Sequence, residues 1–151
     1  MSLISAANRA IVPNDRYNHS LFTLMRNFVS NTTIIVLSDP NGGEEALGRV
    51  FNALAAAYDF KQHQRPVQIV FQGAGTRWPG VLSSVDHPAH ALFKSVEDTV
   101  YGASAACATA FGALADVERT GLRLVANNAV PNTAGLPSLV AFAADGPILT
   151  F

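Results

Sequence analysis

Cys107 is the only cysteine in a chain of 151 residues. A thiolate is the form of cysteine that attacks sulfur or carbon, and a helix N-terminus beside it favours that form. The segment Gly102-Ala103-Ser104-Ala105-Ala106-Cys107 leads into an alanine-rich stretch, so Cys107 falls near the start of a helix. Two readings stay open: a nucleophile at a helix start, or a buried core thiol, since free cysteine is among the most buried residue types. Two other segments offer binding chemistry. Ser38-Asp39-Pro40-Asn41-Gly42-Gly43 is turn chemistry with Asp39 as its charged member, and Gln72-Gly73-Ala74-Gly75-Thr76-Arg77-Trp78 combines two glycines with a cation and an indole. Gly73 and Gly75 would let backbone N–H groups approach a small ligand, Arg77 offers a forked donor to an anion, and Trp78 could roof the crevice or simply anchor the loop. Ordinary turn geometry is the commoner reason for such glycines.

Other clusters carry less. Gly73-Ala74-Gly75 lacks the third glycine of a dinucleotide fingerprint, and no segment matches a P-loop. Asp86, His87 and His90 stand close together, but with no further ligand at a recognisable spacing they read as a solvated helix start with Asp86 as its cap, and no metal site is expected. Glu44 and Glu45 fit a first helical turn, where acidic side chains complement the helix dipole. No cofactor is implied.

These segments need a scaffold that brings them together. Thr32–Leu37 is a β-branched, continuously apolar run with no alternation, as in a parallel strand covered on both faces. A helix follows with Ala46, Val50, Leu54 and Ala57 on one face, ending near Tyr58, and then a second apolar run at Val67–Phe71. That sequence is a βαβ unit with parallel strands. Further on, the pattern predicts a helix behind Pro88, a strand at Thr99–Tyr101, one helix over Ala105–Val117, a strand at Leu122–Val125, a helix over Pro137–Ala144 and a last strand at Ile148–Phe151. The expectation is one α/β domain over residues 31–151 with a five-stranded, mostly parallel sheet. Ligands in such sheets bind outside the carboxyl ends of the strands, where the Ser38–Gly43, Gln72–Trp78 and Gly102–Cys107 segments would meet.

Residues 1–30 form an arm without sustained period except over His19–Val29, where Leu21, Leu24, Met25 and Phe28 recur at helical spacing. The arm packs on its own domain or clamps a neighbouring subunit. With 49% hydrophobic and only 14% charged residues, part of the surface must be apolar, and a homo-oligomer is expected. A net charge of -1 with scattered basic residues gives no stripe for nucleic acid. No apolar run is long enough for a membrane span, and Met1–Ala10 has no secretory pattern, so the expected location is cytoplasmic.

Three stretches carry a resemblance. Ile35-Val36-Leu37-Ser38-Asp39, Glu44 through Leu54, and Val67 through Gly75 resemble proteins of the DsrE/DsrF-like family, with Asp86-His87-Pro88-Ala89-His90, the region Tyr101–Gly112, and Leu136-Pro137-Ser138-Leu139 extending the likeness. The resemblance implies a three-layer α/β sandwich, assembly as a trimer or hexamer, and in some members sulfur carried as a cysteine persulfide. Cys107 matches the region of the family's sulfur-carrying cysteine. Where relatives often have a second cysteine a few residues upstream, this chain has Ser104, Ala105 and Ala106, which excludes an internal dithiol and leaves a single-cysteine carrier, served by a sulfur-donor protein, or a relative that binds a small anionic ligand without catalysis.

Overall fold

The computed structural model describes residues 30–151 of the chain. The arm, including the expected helix over His19–Val29, lies outside the described residues. Five strands, β1 (Thr32–Val36), β2 (Val67–Phe71), β3 (Val100–Ser104), β4 (Leu124–Val125) and β5 (Ile148–Thr150), form one sheet in the order β4-β3-β2-β1-β5. Every neighbouring pair is parallel. The first two runs pair in parallel from Thr32 opposite Val67 to Val36 opposite Phe71, in keeping with their mostly apolar, two-sided burial.

Six helices connect the strands: α1 (Gly43–Gln62), α2 (Trp78–Leu82), α3 (His90–Val96), α4 (Ala105–Ala110), α5 (Leu114–Arg119) and α6 (Leu139–Asp145). The chain steps from β1 to β4 in one direction, and crossovers of one hand taken in one direction place their helices on one face. That face holds the core: Ile34, Val36, Ile69, Phe71 and Ala103 of the sheet meet Val50 and Leu54 of α1, Leu82 of α2, Phe93 and Val96 of α3, and Val117 of α5. The step from β4 back to β5 runs the other way, and α6 lies on the opposite face, where Phe142 packs edge-on against Tyr101 of β3 with ring centroids 5.5 Å apart. Helices on both faces of a five-stranded parallel sheet make a three-layer α/β sandwich.

Several boundaries differ from the sequence pattern, each for a local reason. Helix α1 runs four residues past Tyr58 to Gln62, because Lys61 reaches across to the Ser95 carbonyl (2.7 Å) and Asp98 (2.5 Å) at the end of α3 and tertiary contact extends the last turn. Strand β3 does not stop at Tyr101. It bulges between Val100 and Gly102 and continues to Ser104, and a Cβ on Gly102 would stand 2.3 Å from the Arg123 carbonyl oxygen, so only glycine lets β4 approach. The helix expected over Ala105–Val117 is two helices. Gly112, with φ of +68°, ends α4 in a Schellman turn in which the Ala113 N–H donates to the Ala108 carbonyl (2.8 Å) and the Gly112 N–H to the Thr109 carbonyl (3.3 Å). Asp86 caps nothing. Helix α3 starts at His90 after Ala89, and the Ala89 N–H donates to His87 Nδ1 at 3.2 Å.

Candidate functional site

At the carboxyl edge of the sheet, β1 delivers Leu37–Asp39, β2 delivers Gln72 and a 3-10 turn over Gly73–Arg77, and β3 delivers α4. The three expected segments are neighbours. Asp39 accepts from the Asn41 N–H (3.0 Å), fixing the turn that leads into α1, and its other carboxylate oxygen accepts from Arg77 Nη1 at 2.6 Å. Arg77 Nε donates to the Phe111 carbonyl (3.0 Å), and the guanidinium stands 5.6 Å from the Phe111 ring centroid. One side chain thus ties together the loop after β1, the turn after β2 and the end of α4. Its charge is matched by Asp39 rather than held open for a ligand.

The other residues of the β2 turn are placed by packing. A Cβ on Gly75 would stand 2.2 Å from the Val36 carbonyl oxygen, so the glycine exists to let the turn lie on the end of β1. Gly73, with φ of +59°, occupies a left-handed position beside Leu37. Trp78 is 1% exposed, and its Nε1 donates to the Ser38 carbonyl at 2.7 Å. It is the packed anchor of the two readings, and it roofs no crevice.

Cys107 is the third residue of α4 and is half-buried. Ser104, buried at the end of β3, caps this helix: its Oγ accepts from the Cys107 N–H at 3.3 Å. Cys107 lines a cleft of about 380 Å³ with Ala106, Thr109, Phe111, Asn132 and Thr133. The far wall comes from the loop before α6, held to α4 by the bond from the Ala106 N–H to the Gly135 carbonyl (2.9 Å). None of the described residues that line it is charged. Helix α4 also packs on the Gly73–Arg77 turn, so the cysteine segment and the glycine segment are adjacent, with Phe111 common to the cleft and to the Arg77 contacts. A second cleft of about 370 Å³ opens between the start of α1 and the end of β5, lined by Ser38, Asp39, Glu45, Arg49 and Phe151 among others.

The arrangement divides the expected site in two. Asp39, Gly73, Gly75, Arg77 and Trp78 form a brace at the sheet edge, and Cys107 stands beside it in its own cleft. Sequence reading passed over Ser104, Phe111, Asn132 and Thr133. Ser104 carried a usable signal as a serine at a strand end three residues before the N–H it caps. Asn132 and Thr133 carried none, because only the fold brings that loop to α4. His90 Nδ1 lies 2.7 Å from the Leu82 carbonyl oxygen, a backbone contact rather than a ligand position. Among the described residues no three His, Cys, Asp or Glu side chains gather as a metal would need, and no helix is long and apolar enough to cross a membrane.

No family model and no curated protein matches the chain. Among solved structures it is similar to a conserved protein of unknown function from Bacteroides thetaiotaomicron, at 16% identity over 80% of this chain and 95% of that one, with a TM-score of 0.54. At that identity the likeness is one of fold: an α/β domain on a five-stranded parallel sheet.

Proposed function

We propose that this chain is a DsrE-like protein that carries sulfur on Cys107. The observation that supports the reading is the position of Cys107: a half-buried residue that lines a cleft at the carboxyl edge of the sheet, on the first turn of a capped helix, and is no member of the buried core cluster. The Cys107 thiolate attacks the outer, sulfane sulfur of a persulfide R–S–SH. A bond forms between Cys107 Sγ and that sulfur, the bond inside the donor breaks, and R–S⁻ leaves and takes up a proton from solvent. No external oxidant or reductant is required, since the sulfane sulfur passes at constant oxidation level. The uncharged lining of the cleft suits a small persulfide or the exposed persulfide of a donor protein. Exposed apolar side chains on α1 and α6, including Phe51, Tyr58 and Val140, support a homo-oligomer, with a trimer or hexamer as the form that the family resemblance implies. A cytoplasmic location accords with a thiol kept reduced.

The competing reading is a non-enzymatic module that binds a small anionic ligand and has an inert cysteine. The mutual pairing of Asp39 and Arg77 weighs against it, because the cation best placed for an anion is already matched. Thiol labelling of the folded protein separates the two. A carrier predicts that Cys107 reacts with a small alkylating reagent in native buffer at a rate within about tenfold of that in denaturant. Labelling that occurs only after unfolding would favour the inert cysteine.

A further inference from the structure

Strand β5 ends the sheet on one side and has β1 as its only neighbour among the described residues. Its inward groups are used. The Thr33 N–H donates to the Pro147 carbonyl (2.9 Å), the Phe151 N–H to the Ile35 carbonyl (3.0 Å) and the Leu37 N–H to the Phe151 carbonyl (2.8 Å). Backbone groups alternate in direction along a strand, so Pro147, Leu149 and Phe151 face β1, and the N–H and C=O of Ile148 and Thr150 point away from the sheet. Nothing among the described residues bonds to those outward groups. Leu149 is 37% exposed, and Thr150 beside it is exposed as well. Proteins blunt such an edge with a charge, an internal proline or a bulge, and Ile148-Leu149-Thr150 has none of these.

An open edge of this kind takes another strand, and a second copy supplies one that matches it. When two β5 strands meet antiparallel about a twofold axis through Leu149, Ile148 of each stands opposite Thr150 of the other and exchanges both main-chain bonds with it. Every outward group of both strands is then paired. The two Leu149 side chains form the central pair on one face, at the position where cross-strand side chains come closest. The same axis turns the amino end of each β5 toward the carboxyl end of the other. Before the amino end stands Asp145, exposed and without an ion pair among the described residues. At the carboxyl end Arg49 lines a cleft with Thr150 and Phe151, and it binds Glu45 through Nε and Nη2, which leaves Nη1. Opposite charges therefore flank the pairing at both ends. We propose that two copies of this chain join β5 to β5, which makes one continuous sheet across the axis.

The register gives a cross-linking test in the full-length chain. With Cys107→Ser as background, Leu149→Cys, Ile148→Cys and Thr150→Cys are each oxidised at micromolar concentration, and the covalent dimer is followed on a non-reducing gel. The Cα atoms of the central pair stand about 4.5 Å apart, within reach of a disulfide, whereas Ile148 and Thr150 are each offset from their own copies by two residues and lie beyond it. Leu149→Cys should therefore cross-link at least about tenfold faster than either neighbour. Thr150→Pro removes an outward N–H and leaves the bonds to β1, so it should shift sedimentation toward smaller species with unchanged circular dichroism. If Thr150→Pro fails to fold, the contrast among the three cysteine variants decides alone. Equal rates at the three positions, no dimer from Leu149→Cys, or an unchanged assembly in folded Thr150→Pro would overturn the proposal. The proposal rests on the homo-oligomer reading and names its surface; a parent chain that assembles while Leu149→Cys stays monomeric on the gel would refute the β5 contact and keep the oligomer. Because Cys107 is absent from the cross-linked variants, that outcome is independent of the sulfur reading.

Discussion

Residues at the carboxyl edge divide into those that hold the edge and Cys107, to which the proposal assigns the chemistry. Gly75 belongs to the first group. Gly75→Ala would place a methyl group 2.2 Å from the Val36 carbonyl oxygen, and since backbone must move on one side or the other, a loss of about 2–4 kcal/mol is expected, read as a lowered midpoint in urea unfolding. Arg77 makes a smaller contribution because it and Asp39 are each 34% exposed. Arg77→Ala should cost about 1 kcal/mol in the same measurement, from a partly screened ion pair and the bond to the Phe111 carbonyl. Its sharper effect is local. Losing the tie to Phe111 should loosen the end of α4 and quicken amide exchange there. Equal stability and equal exchange in Arg77→Ala would show that the brace is incidental.

Elements show where sequence was sufficient and where it was not. The parallel pair β1 and β2 was legible because Thr32–Val36 and Val67–Phe71 are short, mostly apolar and β-branched runs without regular alternation, as strands buried on two faces are. Strand β3 was legible only in its first two residues. Gly102, Ala103 and Ser104 have weak strand propensity and lie in the sheet because close approach of β4 rewards small residues. The split of α4 from α5 had a signal in Gly112 that composition obscured, since the surrounding alanines favour one continuous helix. Of the site, Cys107 and the two glycine-bearing loops could be named from residue type and topology, whereas the opposing wall at Asn132 and Thr133 comes from a loop whose position depends on the return of the chain to β5. Helix α4 has six residues, too few to stand without caps, and Ser104 supplies the first. Ser104→Ala should therefore destabilise the protein by about 1 kcal/mol, while Ser104→Asp or Asn, restoring a cap acceptor, should recover part of it. Equal unfolding midpoints for Ser104→Ala and the parent chain would remove the cap from the account.

The described residues present an all-parallel sheet with the Cys107 cleft at the carboxyl ends of its strands and apolar side chains exposed on α1 and α6. Phe51 and Tyr58 lie seven residues apart on α1, on one side of the helix, where they flank the buried stripe beside Leu54. If those side chains meet another subunit, sedimentation at micromolar concentration gives an assembly larger than one chain, and replacing both by charged residues shifts it toward monomer without lowering helix content. A single sedimenting monomer in the parent protein would contradict the assembly. The central claim is that the edge exists to present Cys107 to sulfur, and it has a direct test: incubate the folded protein with a low-molecular-weight persulfide, remove the donor, and measure the intact mass. The sulfur-carrier account predicts a gain of one sulfur atom per chain that is absent in Cys107→Ser and is discharged by an excess of dithiol. Folded protein that keeps its original mass across several donors would contradict it.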